Sequence, residues 1–174
     1  WGDRFFKDMD NASGSFKGAF MYQDPNYENF PDWKILNTFT TDLPGNHFYR
    51  INETSNGSMW FASSGYGIAE YKDSTWKTYQ DPERGMVGEL LNCIYVNDAG
   101  DCYGGAQLQG LYKKEGDVLV RKPKEEFGYG NKNIKDVFVD DEGYVWIATI
   151  AGVDRCKDGK CENFNKKNGL LSNN

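Results

Sequence analysis

The sequence predicts an all-β chain assembled from tandem four-stranded antiparallel units, and three observations carry that prediction. Gly57, Gly100 and Gly143 recur at intervals of 43 residues. Three residues after each stands a large aromatic, Trp60, Tyr103 or Trp146, and six before each stands Ile51, Ile94 or Val137, so two strands of the unit repeat in phase. Runs such as Val137-Phe138-Val139 and Val145-Trp146-Ile147 are short, β-branched or aromatic, and bounded by turn residues, with no sustained helical spacing. A period of this length marks stacked or radially arrayed units.

The second copy shows the unit most fully. Its strands are Cys93 to Val96, Cys102 to Gly105, Gly110 to Lys114 and Val118 to Lys122, here called positions A to D. The first copy reads Tyr49 to Asn52, Met59 to Ala62, Ile68 to Tyr71 and Thr75 to Tyr79. In the third the strands are Lys135 to Val139, Tyr144 to Ala148, Val153 to Cys156 and Lys160 to Phe164, after one deletion between B and C. Complete units therefore span 43–79, 86–122 and 129–164. Trp33-Lys34 lies 43 residues ahead of Trp76-Lys77, so residues 1–37 read as the B, C and D strands of a divergent preceding unit, with Trp1 in the place of Trp60. Residues 169–174 repeat the opening seen at Asp42 to Asn46 and begin a further unit. An open array exposes unpaired sheet edges. The expectation is thus a piece of a larger ring, completed by the remainder of the protein or by a second copy.

Composition narrows the partners. A formal charge of -6 and the lack of any sustained basic run argue against nucleic acid or an anionic membrane surface. The densest basic stretch, Arg121-Lys122-Pro123-Lys124, is followed at once by Glu125-Glu126 and reads as a solvated edge. No segment approaches the roughly 18 consecutive apolar residues of a spanning helix, and no direct membrane contact is expected.

The run Ile134-Lys135-Asp136-Val137-Phe138-Val139-Asp140-Asp141-Glu142-Gly143-Tyr144-Val145-Trp146-Ile147-Ala148-Thr149, the following Gly152-Val153 and the opening Gly169-Leu170-Leu171-Ser172-Asn173 together resemble the two-component regulator propeller repeat. The first copy, with Leu43-Pro44-Gly45-Asn46 and Trp60-Phe61-Ala62-Ser63, is similar; the second departs at Met86, Glu89 and Tyr103-Gly104. The resemblance implies a β-propeller fragment with one blade per repeat. It also implies a sensory role, because such propellers often form the periplasmic part of hybrid histidine kinases that detect glycan breakdown products. Other members of the family are exported proteins without a kinase. A periplasmic or extracellular location is expected.

In a four-stranded blade the B–C and D–A loops open at the same end. That end carries Tyr66, Arg84, Glu89, Gln107, Gln109, Tyr129 and Asn131, a set expected to bind a glycan or another small polar ligand. Aromatic rings stack on sugar faces and amides pair with hydroxyls. No catalytic constellation, cofactor motif or metal-ligand pattern is read from the sequence, and the sole histidine, His47, is expected to be structural. The alternatives are a propeller-based lyase or hydrolase and a protein-interaction scaffold. Around the Asp158-Gly159 turn Cys156 stands directly opposite Cys161 at a close-spaced ladder position, which predicts a disulfide suited to an oxidising compartment. Cys93 and Cys102 are expected to be free.

Overall fold

The computed structural model describes residues 19–21, 34–36, 42–43, 45, 47–83 and 90–173. Most of the divergent first unit, including Trp1, lies outside the described residues. Within it, β1 (Ala19–Met21) pairs antiparallel with β2 (Lys34–Leu36). The described residues then form three four-stranded antiparallel meanders. The first comprises β3 (Phe48–Glu53), β4 (Met59–Ser63), β5 (Ile68–Lys72) and β6 (Thr75–Tyr79). The second comprises β7 (Leu91–Val96), β8 (Cys102–Ala106), β9 (Gly110–Glu115) and β10 (Val118–Lys122). The third comprises β11 (Ile134–Val139), β12 (Val145–Thr149), β13 (Gly152–Lys157) and β14 (Lys160–Phe164). We refer to these sheets as blades 1, 2 and 3.

The same turn chemistry builds each sheet. Gly57, Gly100 and Gly143 sit at φ of 81°, 85° and 80°, a conformation that costs a side-chain-bearing residue but not glycine. Each closes the same pair of backbone bonds: Gly57 N to Thr54 O with Thr54 N to Ser58 O, Gly100 N to Asn97 O with Asn97 N to Asp101 O, and Gly143 N to Asp140 O with Asp140 N to Tyr144 O. The last hairpin of blade 3 has both central residues, Asp158 and Gly159, at positive φ, as a two-residue type I′ turn requires and as Asp73 and Ser74 have in blade 1. It fixes the register that sets Cys156 opposite Cys161.

The core lies between the sheets. Trp60, Ala62, Ile68 and Tyr79 of blade 1 pack on Leu91, Ile94, Val96, Cys102, Tyr112 and Leu119 of blade 2. Cys93, Tyr103 and Leu111 of blade 2 pack on Ile134, Val137, Val145, Ile147 and Cys156 of blade 3. Leu36 of β2 packs against Met59, Phe61 and Ala69 in the same way. Each fully buried apolar side chain contributes roughly 1.5–3 kcal/mol. The aromatic that recurs three residues after each turn glycine is therefore a wedge between neighbours in blades 1 and 2.

The departure of blade 2 from the repeat, Tyr103-Gly104-Gly105, has a packing cause. A Cβ at Gly105 would stand 2.4 Å from both Cys93 Sγ and Ile134 Cγ2, and one at Gly104 would press on Ile68 and Leu91. Strand β8 is squeezed by both neighbouring blades, and side-chain-free backbone is what lets them approach.

Linkers add cross-blade bonds. Leu119 N, on the outermost strand of blade 2, donates to Gln80 O in the linker from blade 1. Ser55 N, in the A–B turn of blade 1, donates to Asp98 Oδ1 in the corresponding turn of blade 2 at 2.7 Å. Between blades 2 and 3 the linker carries a single helical turn, α1 (Lys124–Phe127), ended by Gly128 in the left-handed conformation. Four residues of one turn are too short to carry an amphipathic period, so nothing in the sequence marks this helix.

Candidate functional site

The end of the molecule where the B–C and D–A loops meet is the candidate site. Rigid ladders hold each of these loops. In blade 1, Ser63 N and Oγ both donate to Gly67 O, closing the B–C loop into a tight turn. Ser64 N donates to His47 O, and Ser64 also bridges to Leu90 at the approach to blade 2. In blade 2, Gln107 N donates to Leu90 O, so the loops of adjacent blades are stitched through one linker.

Tyr66, Gln107, Gln109, Tyr129 and Asn131 of the expected set are among the described residues, each with its own local partners. Tyr66 is 45% exposed, and its ring lies so close to Gly45 that a Cβ there would stand 2.4 Å from it. Gln80 Nε2 donates to Tyr66 O at 3.3 Å. Gln107 is exposed beside Leu108, which is 67% exposed at the tip of its loop. Gln109 is half-buried, and its carbonyl accepts from Arg121 Nε at 2.9 Å. Asn131 uses Oδ1 to accept from Asn133 N at 2.8 Å, an Asx turn that holds the approach to blade 3. Arg84 and Glu89 lie outside the described residues.

Tyr129 departs from the expectation of a surface ligand contact. It is 1% exposed; its hydroxyl donates to Lys122 O at 3.0 Å and accepts from Leu111 N at 3.2 Å. The ring fills space left by Gly110, where a Cβ would come within 2.2 Å of the hydroxyl. Burial pushes this phenol above its ordinary pKa. Tyr129 is a structural tie between the outer strand of blade 2 and blade 3.

Two groups missed in the sequence shape this end. Arg121, read as solvated edge, lines a cleft of about 360 Å³ together with Asp81, Pro82, Glu83, Leu119, Val120 and Pro123. The cleft follows the seam between the linker out of blade 1 and the last strand of blade 2, and it offers a guanidinium beside an apolar floor. Asp154, 1% exposed on β13, accepts from Gly130 N at 2.8 Å and from Asn163 Nδ2 at 2.9 Å, and so anchors the linker into blade 3. Its one-residue displacement from the repeat, caused by the B–C deletion, hid it.

Cys156 and Cys161 are joined by a disulfide, with Cα atoms 4.1 Å apart. Cys161 Sγ lies 3.2 Å from Phe127 O, so the bridge abuts α1. Cys93 and Cys102 are free and buried. Among the described residues no group of three His, Cys, Asp or Glu side chains could hold a metal ion. No helix among them is long and apolar enough to cross a membrane.

Successive four-stranded meanders whose first strands adjoin, with aromatic wedges pressed between them, define a β-propeller. Solved structures with the same arrangement include the extracellular domain of BT4673 from Bacteroides thetaiotaomicron, described as a candidate one-component or hybrid two-component system. It aligns at a TM-score of 0.69 and 16% identity over 92% of this chain and 22% of its own. PorZ, a surface component of the type-IX secretion system of Porphyromonas gingivalis, aligns at 0.63 and 19% over 92% of this chain and 26% of its own. Virginiamycin B lyase from Staphylococcus aureus aligns at 0.56 and 12% over 93% of this chain and 60% of its own. The chain thus spans about a quarter or less of the first two. These likenesses concern the fold. No curated protein matches the sequence.

The profile of the two-component regulator propeller family matches residues 42–65 and 128–151. The two matched segments lie 86 residues apart, two repeat lengths, and leave out the copy that departs at Met86, Glu89 and Tyr103.

Proposed function

We propose that this chain is part of an exported ligand-recognition propeller, the extracytoplasmic sensor portion of a two-component regulator that binds carbohydrate or a carbohydrate breakdown product. The observation that carries the reading is the loop end. Tyr66, Gln107, Gln109 and Asn131 stand on loops at one end of the blades, and the Gln109 carbonyl accepts from Arg121, which lines a cleft. Preorganised aromatic and amide groups suit a ligand with apolar faces and many hydroxyls. The Cys156–Cys161 bridge suits the periplasm or exterior. The repeat family and the BT4673 fold support a sensor over an enzyme, and the reading calls for no catalytic group or cofactor.

A single observation extends the reading to assembly. Blade 3 leaves Phe138 58% exposed, and Trp146 is only half-buried, where blade 1 has its counterpart covered. A further blade, from the rest of the propeller or from a second copy, completes the ring there. Thermal stabilisation by a panel of oligosaccharides tests recognition: a specific ligand raises the melting temperature by mass action. Loss of that shift in Tyr66→Ala and Gln109→Ala ties it to this end. Release of cleaved sugar would instead favour a lyase or hydrolase.

A further inference from the structure

We infer, resting on the recognition reading above, that bulges in the three innermost strands build a binding site at the mouth of the propeller axis for a carboxylate-bearing saccharide. Strands β3, β7 and β11 are the first of their sheets and adjoin one another. In each, the ladder slips at the same place: between Phe48 and Arg50, between Leu91 and Cys93, and between Ile134 and Asp136. The residues left without an opposite number are Tyr49, Asn92 and Lys135, spaced by 43. A bulge re-aims a side chain at the expense of a ladder bond, and bulges concentrate on edges and beside functional sites. A bulge repeated in three blades whose side chains differ completely is a feature of the scaffold that leaves the presented chemistry free to vary.

These bulges lie near the start of each first strand, at the end where the B–C loops open, since His47 O and Leu90 O bond to those loops. Tyr49 is 41% exposed and its ring lies 4.9 Å from that of His47, giving a two-ring platform. Asn92 reaches across to the next inner strand, Nδ2 donating to Ile134 O at 3.3 Å, and retains its Oδ1 as an acceptor. Lys135 is exposed, as is Arg50 beside the first bulge.

Charge selects the ligand class. The chain carries a net charge of -6, yet Arg50 and Lys135, on the two blades that flank Asn92, have no ion-pair partner among the described residues. The carboxylate nearest in sequence, Asp136, accepts from Val137 N and lines the open face of blade 3, and both it and Arg50 lie within electrostatic reach of Cys93 on the inner strand between them. Two cations outside any ion pair, with an aromatic pair and an amide, match a uronic acid. The cations take the carboxylate, the rings the C–H face and the amide a hydroxyl. A neutral sugar would leave both cations unused.

The test uses the full chain with glucuronate and digalacturonate as probes, and glucose and digalactose as their neutral counterparts. Binding is read by calorimetry at low and high salt. Uronates are expected to bind at least about tenfold tighter than the neutral sugars, and Arg50→Met and Lys135→Met each to lose about tenfold. Lys160→Met, an exposed lysine on the outer strand of blade 3, leaves affinity unchanged. Equal binding of charged and neutral sugars, indifferent to Arg50→Met and Lys135→Met but abolished by Tyr66→Ala, overturns the axial site while leaving recognition at the loops. If no sugar of either class binds, both readings fall.

Discussion

Trp60 and Trp146 occupy the same position two repeats apart, and one is held by packing while the other is held by a hydrogen bond. Trp60 is 3% exposed, stacked on Tyr79 at 5.4 Å and sealed by blade 2. Its indole nitrogen is buried with no hydrogen-bond partner among the described residues, because the turn position before it is Thr54. Thr54 spends its hydroxyl on Asn56 Oδ1 and Ser58 O. Trp146 stacks on Phe164 at 5.9 Å, the counterpart of Tyr79, but its outer side is a shallow depression shared with Asp136, Phe138, Ala148 and Val153. Here the turn position is Asp140, whose Oδ2 accepts from Trp146 Nε1 at 2.7 Å while Oδ1 accepts from the backbone of Glu142 and Tyr144. Arg155 lies over the Tyr144 ring at 3.6 Å and pairs with Glu142. The lesson is that one repeat position can be stabilised by two currencies, apolar burial where a neighbour is present and polar ties where the face is open.

The largest expected effect exploits Ile68 and Val153, matched positions that are fully buried and half-buried respectively. Ile68→Ala is expected to destabilise by about 2–5 kcal/mol through the lost contacts and the cavity left between blades. Val153→Ala is expected to cost about 1 kcal/mol or less in urea unfolding. Equal costs would break the comparison. Next comes the disulfide, which blade 3 has and blades 1 and 2 replace by Tyr71 opposite Trp76 and Lys114 opposite Leu119. Closing so short a loop stabilises by about 2 kcal/mol, and thermal melts with and without reductant should show a matching drop.

A smaller effect concerns pH. The bond from Trp146, with those from Tyr144 and Glu142, holds Asp140 below the usual carboxylate range. A depressed folded pKa gives stability that is fully present above the unfolded value of about 3.9 and lost as pH falls through the lower folded value. Trp146 emission should therefore change on acidification below about pH 4, and Asp140→Asn should remove that transition. An unchanged profile would show that packing alone holds the ring. Least visible is the chemistry of the free thiols. Burial pushes Cys93 up to about 12 and Cys102 higher still. Without reductant, a thiol reagent at pH 8 should leave the native protein unlabelled and find two thiols, not four, after unfolding.

Much of the fold was legible because its determinants are local. Turn glycines, strand alternation and the wedge aromatic act within a few residues of one another, so a 43-residue period in the sequence becomes a blade in space. The candidate site was legible only in part, because it depends on which neighbour each residue meets. Tyr129 reads as a loop aromatic, yet it stands 86 residues after Leu43, which is 4% exposed, and that phase was the available signal for its burial. Asp154 gained its role from the linker before its own blade, and Arg121 from the linker out of blade 1. The inner-strand bulges were invisible to alternation, since one extra residue shifts the pattern without changing its composition.

The rung from Leu119 N to Gln80 O bears on how such arrays change size. The rim strand of a sheet is where stray chains would pair, and here the preceding connector occupies one of its donors. A copy of blade 2 duplicated together with the connector before it would carry that guard with it, whereas blade 3 meets its own connector through Cys161 Sγ and Phe127 O. Blade number can then drift by whole repeats without each new rim becoming a seed for aggregation.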